Sequence, residues 1–265
     1  MASRFTRVRK RVRRLRRVAL VAGGIYASAV RPWARTWGAT DEEAEQGLPG
    51  DRFITHPRLE TTRAITIHAP AEQIWPWLVQ MGQDRGGFYS YDFLENLFGL
   101  EVHSAEEVVE ELQHLQLGEH VRTSPGDGPV DLQVVDLQPD HFIVFRAGYV
   151  PGRRAGGRPE IDADDHIWLD ASWSFTLKPV DRDETRLLVR TRMDHRGLPM
   201  VAFTNAVVEP VHFLMERKML KGIRARVEQG AAPSKPPPAP LMDPEQRPTS
   251  RPRHQRRWAG RHPPP

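Results

Sequence analysis

The 265-residue chain contains no cysteine. Disulfides, thiolate nucleophiles and cysteine metal sites are therefore excluded, and the composition suits a reducing compartment. A phosphate-binding loop is missing as well. The glycine-rich stretch GQDRGG at 82–87 lacks both the glycine spacing and the Lys-Ser/Thr pair that such a loop uses to hold a phosphate. No serine sits in a glycine-flanked nucleophile pattern. Asp162, Asp164, Asp165 and His166 form an acidic cluster, but without the glycine and distal glutamate of a calcium loop. No metal or cofactor is expected. The apolar run that follows the basic start is too short to span a bilayer. Residues 18–30, VALVAGGIYASAV, would extend about 20 Å as a helix, against a hydrocarbon core of about 30 Å.

What is present is charge, unevenly placed. Residues 1–17 carry nine Lys/Arg and no acid. Residues 231–265 carry eleven of the 24 prolines, seven Lys/Arg and two acids. With these ends set aside, the formal +4 of the whole chain becomes about −10 in between. The isoelectric point of 9.7 thus belongs to the tails. A nucleic-acid-binding domain would carry its basic stripe on the fold itself, so sequence-specific nucleic acid is not an expected partner. The proline-rich end cannot bury a core and reads as a disordered tail over 230–265.

Residues 1–30 form a basic segment ending in the short apolar run, and three readings stay open. The run can lie at an anionic membrane surface held by its arginines, lead as an ordinary helix into the domain, or act as a signal whose small-residue site is Ala27-Ser28-Ala29. A cytoplasmic protein, associated through residues 1–30 with the inner membrane face, is the working expectation. Residues 31–60, with Pro49, Gly50 and Pro57, read as an irregular lead-in.

The folded part is expected over 61–229. TRAITIH at 62–68 places Ile65 and Ile67 on one face of a strand, and Pro70 then opens a helix with Ile74, Trp77, Leu78 and Met81 as its stripe. A dense connection follows, QMGQDRGGFYSYDFLENLFG at 80–99, leading into a second short helix that Asp92 caps with Glu95 three residues on. From 120 onward strands dominate. Val130, Leu132 and Val134 alternate, then the phase slips to Val135 and Leu137, which predicts a bulge. The glycine-rich connection 148–165 reads as mobile. Residues 166–178 and 185–195 form a hairpin with Trp173 and Val189 inward, while Arg186, Arg190 and Arg192 face outward as a solvated, edge-protecting row. A long helix closes the domain, its apolar stripe read as Val211, Met215, Met219, Ile223 and Val227. The order implies an α+β fold, an antiparallel sheet with its helices segregated.

TRAITIHAPAEQIWPWLVQ resembles the opening of the SRPBCC (START-like, helix-grip) superfamily. WGATDEE, MGQDRGGFYSYDFLENLFGL followed by HSAE, TRLLVRTR and HFLMERKMLKGI are similar to an uncharacterised bacterial group within it. The resemblance covers roughly residues 36–228. It implies a curved antiparallel sheet of about six or seven strands wrapped around a long C-terminal helix, with two short helices after the first strand. It implies no catalytic residues, because that scaffold serves carriers, receptors and enzymes alike.

A cavity between sheet and helix, with its mouth near 80–99, is the expected site. The expected ligand is a hydrophobic small molecule or lipid. Candidate contacts are Asp84 and Arg85, read first as a mutual pair; the phenols of Tyr89 and Tyr91; His103; Trp77, read first as packing; and Trp173. The alternative is a cyclase- or dehydratase-like enzyme using Tyr89, Tyr91 or His103 as acid or base, with Asp92 as a partner for His103.

Overall fold

The computed structural model describes residues 26–90, 104–124, 130–153 and 161–231, with residues 17, 21, 23 and 24. Tyr91, Asp92, Glu95 and His103, and with them the second short helix, lie outside the described residues. So do residues 154–160 of the 148–165 connection and residues 232–265 of the proline-rich end.

Six strands form one antiparallel sheet: β1 (Leu59–Ile67), β2 (His120–Arg122), β3 (Asp131–Gln138), β4 (Phe142–Tyr149), β5 (Trp168–Pro179) and β6 (Thr185–Arg196). Their order in space is β1-β6-β5-β4-β3-β2. Helix α3 (Ala71–Val79) follows β1. Helix α4 (Leu198–Phe203) runs through a π-helical turn, Thr204–Val208, into the 23-residue helix α5 (Glu209–Ala231). Two short helices, α1 (Arg31–Arg35) and α2 (Asp41–Glu45), belong to the lead-in. This is the helix-grip arrangement that the resemblance implies. The slipped alternation in β3 is a bulge, with the register shifting between Val134 and Asp136.

The strand registers sort the inward face into rows across the sheet. Arg63, Val189, Phe175 and Ile143 make one row; Thr61, Thr191, Trp173 and Phe145 the next. Met193, Ala171 and Ala147 follow, then His195, Leu169 and Tyr149. Around the first row and on its Ile65 side the sheet is closed by α3 and by Met219, Leu220, Ile223 and Val227 of α5, all buried.

Two expectations need correction here. The arginine row of β6 is not solvated, and β6 is not an edge strand, since it lies between β1 and β5. The lead-in covers that face and supplies the acceptors. Arg190, only 3% exposed, donates to Thr62 Oγ1, to Asp51 Oδ2 and to the carbonyls of Gln46, Glu43 and Ala44. Arg186 pairs with Glu43, which also completes a capping box with Thr40 at the start of α2. Edge protection falls instead to Trp37, whose carbonyl accepts from Ala64 N of edge strand β1. The second correction concerns the stripe of α5. A spacing of four drifts about 40° per step on a 3.6-residue helix. Val211 is accordingly 43% exposed, and the inward line runs instead through His212, Glu216, Met219, Leu220, Ile223 and Val227.

Helix α5 meets the 80–90 connection at Gly222. A Cβ there would lie 2.4 Å from the carbonyl oxygen of Tyr89. Ala at this position gains about 1 kcal/mol of helix propensity but collides with backbone that cannot yield. Gly222→Ala is therefore expected to destabilise by about 1–3 kcal/mol in urea unfolding. Gly230→Ala, with nothing within 4 Å of the added carbon, is expected to be neutral or slightly stabilising.

Candidate functional site

Beyond the Arg63 row, sheet and helix diverge. A cavity of about 680 Å³ opens between the lower rows of the sheet and the first part of the closing helix. The sheet contributes Phe145, Ala147, Leu169, Ala171, Trp173 and Met193; the helix contributes Pro199, Met200, Phe203, Val208 and His212. The walls are overwhelmingly apolar. The volume lies within the range of small-molecule sites, roughly 300–1,000 Å³.

Its floor is Trp173. The indole packs on Phe175 at 4.7 Å between ring centroids, on Phe145 and Phe88 at 6.3 Å each, and on the His212 ring at 6.1 Å. Behind this floor lies a charged cluster that no motif announced. Arg63 and Glu216 are 0% and 1% exposed and form an ion pair, Nη1 to Oε2, at 2.6 Å. Arg63 Nε donates to the carbonyl of Ala34 at the end of α1, at 2.8 Å. His212 Nδ1 stands 3.2 Å from both Arg63 Nη1 and Glu216 Oε2. His212 also lines the cavity. Arg63 Nη2 and Glu216 Oε1 have no hydrogen-bond partner among the described residues, and the indole N–H of Trp173 faces Glu216 outside strict hydrogen-bond geometry. A pair buried so deeply gains little net stability, because desolvation offsets the attraction.

Burial pushes the Glu216 carboxyl up to about 6, against the opposing pull of Arg63. Burial pushes His212 down to about 3, and the neighbouring Arg63 charge acts in the same direction. His212 is therefore a neutral ring at neutral pH. The signs give a testable pH profile. From 6.5 down towards 3, the unfolded chain binds a proton at His212 that the folded chain refuses, so stability falls as pH falls. His195, lowered by burial, acts in the same sense. Glu216 acts oppositely between about 6 and 4.5, where the folded chain holds the extra proton. Urea unfolding at neutral pH and at about pH 4 is expected to show a smaller acid loss for His212→Gln than for the parent chain.

The sequence candidates occupy other places. Among those in the described residues, Trp173 alone lines the cavity. Asp84 and Arg85 are not a mutual ion pair. Asp84 pairs with Arg122 on β2, and Arg85 donates to the carbonyls of Val79 and Leu112. The expectation of a mutual pair fails because the chain turns tightly here: Gly82 and Gly87 bridge each other and Asp84 takes φ 59°. Tyr89 is buried, its hydroxyl donates to the Trp77 carbonyl at 3.0 Å, and its phenol is raised by burial. Trp77 is core, edge-on to the Tyr89 ring. The connection at 80–90 reaches the cavity only indirectly, through Phe88 beneath Trp173. Among the described residues, no group of acids and histidines could hold a metal ion.

No protein-family model matches the chain, and no curated protein matches it in sequence. Solved structures align with part of the chain. A conserved protein from Geobacillus kaustophilus aligns at 15% identity and a TM-score of 0.39, covering 65% of this chain and 97% of that one. A norcoclaurine synthase point mutant from Thalictrum flavum aligns at 15% identity and a TM-score of 0.35, covering 66% and 96%. An HSP90 activator from Plasmodium falciparum aligns at 11% identity and a TM-score of 0.29, covering 51% and 72%. Scores this low carry no argument about activity. The helix-grip description rests on the strand order and on the helix that closes the sheet.

Proposed function

We propose that the protein binds and carries a hydrophobic small molecule or lipid in the cavity between β4–β6 and the closing helix. The observation that supports this most is the pairing of a roomy cavity with walls that offer hydrocarbon and aromatic surface at nearly every position. The enzyme reading has less support. The phenol of Tyr89 is spent on a backbone carbonyl, and His212, with its affinity for protons so reduced, is a weak base. The basic run 1–17 supports a place of action at the cytoplasmic face of a membrane, whose anionic lipids it complements. Native mass spectrometry of the purified full chain, with organic extraction of whatever it carries, tests the binding reading. A stoichiometric apolar ligand is the expected result. A chain that emerges unliganded and takes up no fatty acid or phospholipid probe overturns it.

A further inference from the structure

The first part of the closing helix is apolar on both sides. One side lines the cavity through Pro199, Met200, Phe203 and Val208. The other side faces solvent: Val207, Val211 and Leu214, at positions i, i+4 and i+7, are 43–49% exposed, and Leu198 is 83% exposed. A helix side normally presents polar groups to water. From Leu198 to Met215 there is no Lys or Arg, and Glu209 is the one acid. Arg31 and Arg35 neutralise Glu209 at 2.8 and 2.7 Å.

These arginines belong to α1, which adds to the same surface. Trp33, 53% exposed, packs edge-on against Phe213, and Val30 just before it is 40% exposed. The apolar face is thus built from two segments far apart in sequence, joined by ion pairs and a ring contact. Arg196 and Lys218 stand at either end of the helical stretch, both exposed.

We infer that this face docks on an anionic lipid bilayer, with α1 and the 198–214 helix lying in the interface and the basic run 1–17 supplying the electrostatic attraction. A patch of this kind is also what a second copy of the chain could cover. The bilayer is favoured by charge: nine cationic side chains without one acid lie just upstream of α1, and would repel their counterparts in a dimer. A spanning helix is disfavoured, although the stretch Leu198–Gly230 is long and apolar enough. The Arg63–Glu216 and Arg31–Glu209 pairs tie this helix to the domain at two levels. Because the docked helix is also the cavity wall, an apolar ligand passes between bilayer and cavity without crossing water. That last step rests on the carrier reading; the docking does not.

Co-sedimentation of the full chain with vesicles of phosphatidylcholine, and of phosphatidylcholine mixed with phosphatidylglycerol, tests the docking. The expected result is binding that is stronger on the anionic vesicles and weakened by salt. The triple variant Val207→Ser, Val211→Ser, Leu214→Ser, which spares every cavity-lining side chain, is expected to bind at least about tenfold more weakly on both vesicle types. Removing residues 1–17 is expected to abolish the anionic preference and the salt effect. Unchanged sedimentation of the triple variant overturns the proposal. So does a dimer in solution that the same three substitutions dissociate, with no vesicle binding by the parent chain. Ligand occupancy, measured on the same samples by native mass spectrometry, separates the two readings. A filled cavity without vesicle binding overturns docking alone, and vesicle binding with an unfillable cavity overturns carriage alone.

Discussion

Arg63→Met is expected to cost about 3–5 kcal/mol of stability, the usual consequence of removing one partner from a buried ion pair. The loss is not the worth of the pair. It is the penalty for leaving the Glu216 carboxylate, 1% exposed, without its cation. The variant has one escape, which is protonation. With Arg63 gone, only the Trp173 indole still opposes the burial that already lifts Glu216 to about 6, so the carboxyl moves further up and is protonated over more of the neutral range. The destabilisation should then diminish as pH falls. Arg63→Met/Glu216→Leu removes both charges and is expected to recover most of the loss, because two apolar groups of similar volume replace a pair whose attraction is largely spent on desolvation. Urea unfolding of the two single variants and the double variant forms a cycle that checks this. If Arg63→Met alone is neutral, the pair carries no structural tension, and the boundary between packed core and cavity must be set by Trp173 and its ring contacts.

How this boundary arises shows what the sequence could and could not disclose. The strands were legible because Leu187, Val189, Thr191 and Met193 recur at every second position with Arg186, Arg190 and Arg192 on the other face, and the bulge because Val134 and Val135 break the alternation. The lead-in was legible only as irregular. Its role over the outer sheet face depends on Arg186 and Arg190 finding Glu43 and Asp51, contacts across more than 130 residues that no local period encodes. The cavity cluster did leave a trace. Arg63 sits at an inward strand position between Thr61 and Ile65, and His212 and Glu216 occupy one helix face in line with Met219 and Ile223. A charge in an inward phase on each of two elements signals a buried pair, but only once both phases are right. The phase of the helix was obscured by the four-residue recurrence from Val211 and by the π-helical turn just before it. In the dense connection 80–99, the rings and glycines that the structure describes are those of 80–90. Those are there to let it pack against Gly222 and beneath Trp173, so density of aromatic side chains indicated close packing more than a ligand site.

Ala147→Phe/Ala171→Phe is expected to abolish ligand occupancy while leaving the fold at least as stable as the parent. Both alanines lie on the inward face in adjacent strands, paired with each other, and both line the cavity. Two rings projecting from paired positions would occupy the space where a ligand must lie against Trp173. Their burial adds contacts that the empty walls lack, and cavity-filling changes commonly stabilise by about 0.5–2 kcal/mol. Carriage and loose packing therefore agree on stability and differ on occupancy. If the cavity exists for a ligand, occupancy by native mass spectrometry falls at least about tenfold while the thermal midpoint holds or rises. If the space is merely loose packing, stability rises and nothing else changes, in protein or in cells. Val180→Phe, at a 57% exposed position beyond the end of β5, adds a ring without touching the cavity and is expected to change neither readout. A parent chain that loses its ligand only in the double-phenylalanine variant would place the binding site between β4, β5 and the closing helix, on the far side of the Arg63 row from the packed core.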